Sequence, residues 1–186
     1  SNVSSFATAD YERYSAGTSG AAVASVENKT ISIQASENGQ FTVGGFSGNE
    51  PLAFLFGHPS GDRKGWIFSS YVSVKIDGKA YKLHELPSSP VEVLDKKKII
   101  KEYSARDGKI SIREQLDLSE DGNYSRISFS IANRDSLPHE AGLRVLFDTW
   151  AGSNDGVPFR MPLQRKASVS QGEMITHEAE VYGLDA

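Results

Sequence analysis

Cysteine is absent from these 186 residues. That excludes a disulfide framework, a thiolate metal site and a cysteine nucleophile. It fits a reducing cytoplasm and equally the bacterial exported proteins that avoid thiols. No apolar run approaches the roughly 20 residues of a membrane-spanning helix. The longest, residues 51–57 (PLAFLFG), has the length of a buried strand. Long basic runs are missing too: Lys96, Lys97 and Lys98 form one short cluster, Arg165 and Lys166 another, and the net charge is −4. A nucleic-acid binder needs a concentrated basic face to displace phosphate counterions, so nucleic acid is not expected as a partner. No stretch holds a 3.6-residue apolar period over three turns, which argues against helix.

Familiar catalytic signatures are lacking as well. There is no G-x-S-x-G elbow, no G-x-x-x-x-G-K-[ST] phosphate loop and no H-E-x-x-H pair. The glycine-rich GGFSG at 44–48 precedes no helical pattern and reads as turn material. His58, His84, His139 and His177 lie far apart in sequence. His84 falls in the solvent phase of its strand, and a lone loop histidine such as His139 is usually a surface residue. His139 with Glu140 joins a proton-transfer pair only if the fold brings Asp148 to them.

What is present is alternation. Residues 1–27 are rich in Ser, Ala, Gly and Thr and read as a flexible lead. From residue 28 Ile31, Ile33 and Ala35 point one way and Thr30, Ser32 and Gln34 the other, the period of a half-buried strand. The 51–57 run is apolar on both faces and reads as a central strand. Asp77-Gly78 between alternating runs marks a hairpin, since both residues take positive φ. Arg106-Asp107-Gly108 and residues 120–123 mark two more. Ten or so short strands with frequent turns make the fold class all-β, an antiparallel β-sandwich over residues 28–186. The chain stops at Ala186 without a terminating pattern, which reads as a truncation or as a tail into another domain. It opens on Ser1-Asn2 without Met, which reads as a cloning scar or a processed start. A signal peptide already removed would give an extracytoplasmic location, periplasmic or secreted.

The densest meeting of apolar and polar chemistry is residues 142–160, GLRVLFDTWAGSNDGVPFR. As one strand it places Leu143, Val145 and Phe147 on one face and Arg144, Leu146, Asp148 and Trp150 on the other. Asp148, Trp150, Asn154, Asp155 and Arg160 are therefore candidate ligand-binding residues. Asp148, Asn154 and Asp155 are weak calcium candidates, since Ca²⁺ takes oxygen ligands, but their spacing matches no EF-hand. The plainer role for Asp148 is to accept backbone N–H bonds and hold the loop. Glu114 is the outlying ligand-binding candidate: it lies in the apolar phase between Ile112 and Leu116, where a perturbed carboxylate flags an active site, and the plainer readings are a buried pair with a cation such as Arg144 or Arg126, or a bulge that rotates it outward. Trp66, Phe68, Tyr71, Tyr124 and Trp150 are candidates for a sugar-stacking face or, more simply, for core and cross-strand pairs.

The stretch RISFSIANRD at 126–135, followed by GLRVLFDT at 142–149, resembles a strand pair of galactose-mutarotase-like supersandwich domains. It is similar also to bacterial exported proteins with a GLR–DT–G–NDG–PFR stretch. The resemblance implies an exported β-sandwich with a carbohydrate link. It carries over no active-site residue, because the paired His and Glu of mutarotases have no counterpart. The leading expectation is a non-catalytic extracytoplasmic module with a structural, interaction or ligand-binding role and no cofactor. The alternatives are a carbohydrate-binding or carbohydrate-active domain and a Ca²⁺-stabilised surface domain. The partner is then a carbohydrate or another protein or domain.

Overall fold

The computed structural model describes residues 22–48, 50–57, 68–122, 124–151, 154–155, 159–161 and 166–169. Strands β1 (Ala22–Glu27), β2 (Ile31–Ser36), β3 (Phe41–Ser47) and β4 (Glu50–Ala53) form an antiparallel meander. Strands β5 (Tyr71–Ile76) and β6 (Lys79–Lys82) make a hairpin, followed by a 3-10 turn at Leu83–Glu85. Strands β7 (Glu92–Leu94), β8 (Lys98–Ala105), β9 (Ile110–Leu118) and β10 (Ser125–Asn133) form a second four-stranded meander. Strand β11 (Ala141–Leu146) returns to pair with β5, giving the order β11-β5-β6. Two ribbons follow, β12 (Trp150–Ala151) with β13 (Asn154–Asp155) and β14 (Phe159–Met161) with β15 (Lys166–Val169). The architecture is all-β and sandwich-like. Among the described residues no helix is long and apolar enough to cross a membrane.

One core joins the three larger sheets. Val26, Ile33 and Phe41 come from the first, Val74 and Ile76 from the hairpin sheet, and Ile99, Ile112 and Leu116 from the second meander. Each is at most 2% exposed. Burying such side chains is worth about 1.5–3 kcal/mol apiece. The turns form where the sequence places them: Asp77 and Gly78 have φ of 48° and 83°, and Arg106, Asp107 and Gly108 have 52°, 56° and 87°.

Four sequence expectations need correction. Residues 22–27 belong to β1, not to a flexible lead, because Ala24 and Val26 enter the core while Val23, Ser25 and Glu27 face out. The small residues around them obscure that period; residues 1–21 lie outside the described part. The polar face of β2 is only partly solvated: Thr30 is exposed and Gln34 half-buried, but Ser32 and Ser36 are 2% and 0% exposed. The 51–57 run is not a central strand. The amides of Phe54 and Leu55 both donate to the Val43 carbonyl, at 3.0 and 2.9 Å, which is the mark of a bulge. Beyond it Leu55 bridges Thr149, so the run leaves β3 and joins the segment after β11. Finally, the strand read through residues 142–150 ends at Leu146 and, as β11, is an outer member of its sheet, with Leu143 36% and Phe147 45% exposed.

The turn between β2 and β3 is the tightest fit of sheet on sheet. Gly39 has φ of +85°, and a Cβ there would lie 1.7 Å from the Tyr103 hydroxyl oxygen and 2.9 Å from Lys101 Cδ. Gly78 has φ of +83° with nothing within 4 Å of the same position. Gly78→Ala should therefore lose only the left-handed cost, roughly 1–2 kcal/mol. Gly39→Ala should lose that and about 1–3 kcal/mol more from overpacking. Urea unfolding of both variants measures the gap; equal losses would mean that Tyr103 does not close on this turn.

Candidate functional site

Strand β9 keeps the phase that singles out Glu114: Ile110, Ile112, Glu114, Leu116 and Leu118 are all buried. Pairing with β8 sets Lys101 opposite Glu114 and Tyr103 opposite Ile112. Glu114 is 4% exposed and Lys101 3%. The Tyr103 hydroxyl donates to Glu114 Oε2 at 2.5 Å. Lys101 Nζ donates to the Ser89 carbonyl at 2.5 Å and stands 5.8 Å from the Tyr103 ring centroid. The expected arginines are elsewhere, Arg126 opposite Asp117 and Arg144 opposite Ser73 on another sheet. Nor does a bulge turn Glu114 outward, because the β9 register is continuous on both sides.

Desolvation dominates the electrostatics. Burial outweighs the Tyr103 bond and the Lys101 charge, both of which pull downward, and leaves Glu114 raised to about 7. Burial also lowers Lys101, against the pull of Glu37 and Glu114. Tyr103 is raised by burial first and by Glu114 second, so it stays a phenol and a donor. The gap beside Glu114 and Tyr103, closed by Gly39, Gln40, Val72 and His84, leaves about 0 Å³ for a water molecule. A general acid or base must reach the proton it moves. Among the described residues Glu114 has no open space beside it, and its cluster lies within the core.

Asp148 acts as an anchor, with partners far upstream. Its carboxylate accepts from the Ser69 hydroxyl, and its amide donates to Ser70 Oγ at 3.1 Å. Its carbonyl accepts the Phe56 amide at 2.9 Å, and the Trp150 amide donates to the Phe54 carbonyl at 2.9 Å. The half-buried Trp150 ring meets Phe56 edge to face at 5.5 Å. Strand pairing sets Asp155 opposite Trp150 and Asn154 opposite Ala151, so the backbone gathers Asp148, Trp150, Asn154 and Asp155 at one corner. The side chains of Asn154, Asp155 and Arg160 lie outside the described residues, so of the calcium candidates Asp148 alone is described to the side chain. Glu114 stands apart from this corner, on another sheet. Among the described residues no group of three acidic or histidine side chains is arranged to hold a metal ion.

Two histidine expectations change. His84 belongs to the 3-10 turn, meets Tyr71 edge to face at 5.7 Å, and is lowered by burial, so it is half-buried and not fully solvent-facing. His139 has no path to Asp148, because the two flank opposite ends of β11, roughly 20 Å of strand. It bonds Asp77 and Asp135 instead. His58, His177 and Trp66 lie outside the described residues. Phe68 is buried, whereas Tyr124 is 47% exposed.

Sequence reasoning missed a roomy concavity at the opposite end of the sandwich from His139. Residues 27–30, 95–97 and 118–122, from three hairpin connections, line an open cleft of about 410 Å³. Its walls are preset. Asn28 Oδ1 accepts the amides of Thr30 and Ile31 at 2.7 and 2.8 Å. Asp95 and Lys96 hold φ of 51° and 53°, and Gly122 of 78°. The only sequence sign of this site was turn chemistry at three separate places, which says nothing of their convergence.

Comparison of the chain with protein-family models, with curated proteins and with solved structures found no match.

Two outcomes follow from these geometries. Glu114 keeps its proton to about 7 in the folded chain but releases it near its ordinary 4.5 when unfolded. The unfolded state then binds fewer protons across that interval, so stability falls as pH rises through it, by on the order of 3 kcal/mol. Glu114→Gln keeps an acceptor for Tyr103 and has nothing to ionise, so its stability curve should lack this fall. Urea midpoints at about pH 5 and about pH 8 measure it, and an identical fall in the variant would rule Glu114 out as its source. Asp148→Ala should cost about 1–3 kcal/mol by leaving the Ser69 hydroxyl without its acceptor. Adding Ser69→Ala should cost little more; strictly additive losses would mean the two side chains act independently.

Proposed function

We propose that this chain is a non-catalytic, extracytoplasmic β-sandwich module that binds a polar ligand in the cleft between its hairpin connections. The observation that carries the reading is the contrast of two spaces. The perturbed carboxylate, Glu114, has no room beside it, while the cleft of about 410 Å³ has the size of a small-ligand site. Loops gathered at one end of a rigid sandwich are where such scaffolds carry their binding residues. The lining mixes Glu27, Asp95, Glu120 and Asp121 with Lys29, Lys96 and Lys97. A wall of both signs suits a neutral ligand that donates and accepts many hydrogen bonds. The extracytoplasmic placement rests on the resemblance of residues 126–135 and 142–149 to bacterial exported proteins, with which the absence of cysteine is compatible.

A carbohydrate is the ligand class favoured by one further observation. Tyr124 is 47% exposed, its amide donates to Ser119 Oγ at 3.1 Å, which ties its backbone to a cleft-lining residue, and Arg126 stands 5.9 Å from its ring centroid. A flat aromatic face next to hydroxyl-binding groups is how a protein holds a pyranose ring. Titrating the labelled chain with neutral and acidic oligosaccharides should shift amide resonances at 27–30, 95–97 and 118–124. Tyr124→Ala should weaken binding about tenfold, and Glu114→Gln should leave it unchanged. Shifts confined to other regions, or none at millimolar sugar, would remove the cleft from the reading.

A further inference from the structure

The end of the sandwich away from the cleft is fastened by one imidazole. His139 Nδ1 lies 2.7 Å from Asp77 Oδ2 and Nε2 lies 3.2 Å from Asp135 Oδ2. Its side chain is only 7% exposed. Each acid is tied to the turn between β8 and β9: Arg106 donates to Asp77 Oδ2 at 2.8 Å, and Lys109 Nζ stands 3.1 Å from Asp135 Oδ2. The Glu140 amide donates to Asp77 Oδ1 at 3.0 Å, and the Asp77 amide donates to the Glu140 carbonyl at 2.9 Å. These contacts join the β5–β6 turn, the β8–β9 turn and residues 134–140, and so the hairpin sheet to the second meander.

A neutral imidazole carries one N–H and one lone pair. Flanked by carboxylates on both nitrogens, it can donate to one and must turn a lone pair on the other. Only the imidazolium satisfies both. We propose that His139 is a proton-gated clasp, which holds residues 134–140 to both sheets when protonated and frees one side when neutral. The charges around it support this window. The bonds to Asp77 and Asp135 raise His139 above its ordinary 6.5, against partial desolvation and the nearby Arg106. Asp77 is lowered first by its bond to His139, and Asp135 by those to Lys109 and His139, from an ordinary 3.8. A raised histidine contributes fully below 6.5 and loses its contribution as pH climbs through its folded value. The lowered acids contribute above 3.8 and lose theirs as pH falls through the depressed values. The clasp is closed between those limits and opens on the alkaline side.

Ring ¹⁵N shifts of the full chain should show a doubly protonated His139 persisting to higher pH than an ordinary histidine. As it deprotonates, hydrogen-exchange protection of the Glu140 amide, corrected for the intrinsic rate, should drop about tenfold. His139→Gln should show the open level at every pH. Asp135→Asn should stay closed after deprotonation, because an amide N–H can donate to the neutral ring nitrogen. Protection that does not change as the ring titrates, a His139 that titrates like an ordinary histidine, or an Asp135→Asn chain that opens as the native one does would each overturn the clasp.

Discussion

The structure depends on a single buried contact, that of the Tyr103 hydroxyl with the Glu114 carboxyl. Around it the three larger sheets come to one point. The second meander supplies both partners and Lys101, the first supplies Gly39 and Gln40 from its turn, and the hairpin sheet supplies Val72. A carboxyl in such a place is costly unless it is neutral or well bonded. Here it is bonded, and burial raises it to about 7. The phenol donates, the lysine stands across the strand pair, and the turn leaves no space for water. The polar residues of that turn are also committed, with Gln40 Nε2 donating to the Phe68 carbonyl at 2.9 Å and Ser36 Oγ to the Gln40 carbonyl at 3.1 Å. A polar centre of this kind favours one arrangement of the sheets over its near alternatives, because slipping β9 by one residue would turn the carboxyl away from Tyr103 and carry Ile112 and Leu116 to the outer face.

Local chemistry was legible and convergence was not. The turns at Asp77-Gly78 and at 106–108, and the alternation of β9, follow from residues within a few positions of one another. Glu114 showed as an outlier for the same reason. Its partner was one step further, and in reach: once Ala105 pairs with Ile110, counting back along both strands sets Lys101 opposite Glu114. Lys101 and Tyr103 share the apolar phase with Ile99 and Ala105, and that was the unused signal. Nothing local links Asp77 to His139, 62 residues apart, or Ser69 to Asp148, 79 residues apart. The 51–57 run misled because a bulge, which hydrophobicity does not encode, splits one apolar segment between two partners.

Division of labour runs along the length of the sandwich. The middle is dry and fixed by Glu114 and Tyr103. One end has room and turns held by side-chain-to-backbone bonds and left-handed residues, while the other is closed by charge pairs around His139. The corner at Asp148 ties the segment after β11 to the first meander, through the bridge of Leu55 with Thr149. Backbone hydrogen bonds carry that connection together with the edge-to-face packing of Phe56 on Trp150 and of Phe41 on Phe147.

The two protons described above, one on Glu114 and one on His139, have a shared consequence for how the chain acquires its structure. Both groups hold a proton more tightly when folded than when unfolded. Folding near neutral pH is therefore a proton-consuming reaction, and the heat it exchanges includes the ionisation enthalpy of whatever buffer supplies those protons. A compartment that acidifies mildly does not threaten this sandwich; it supplies one of its reactants.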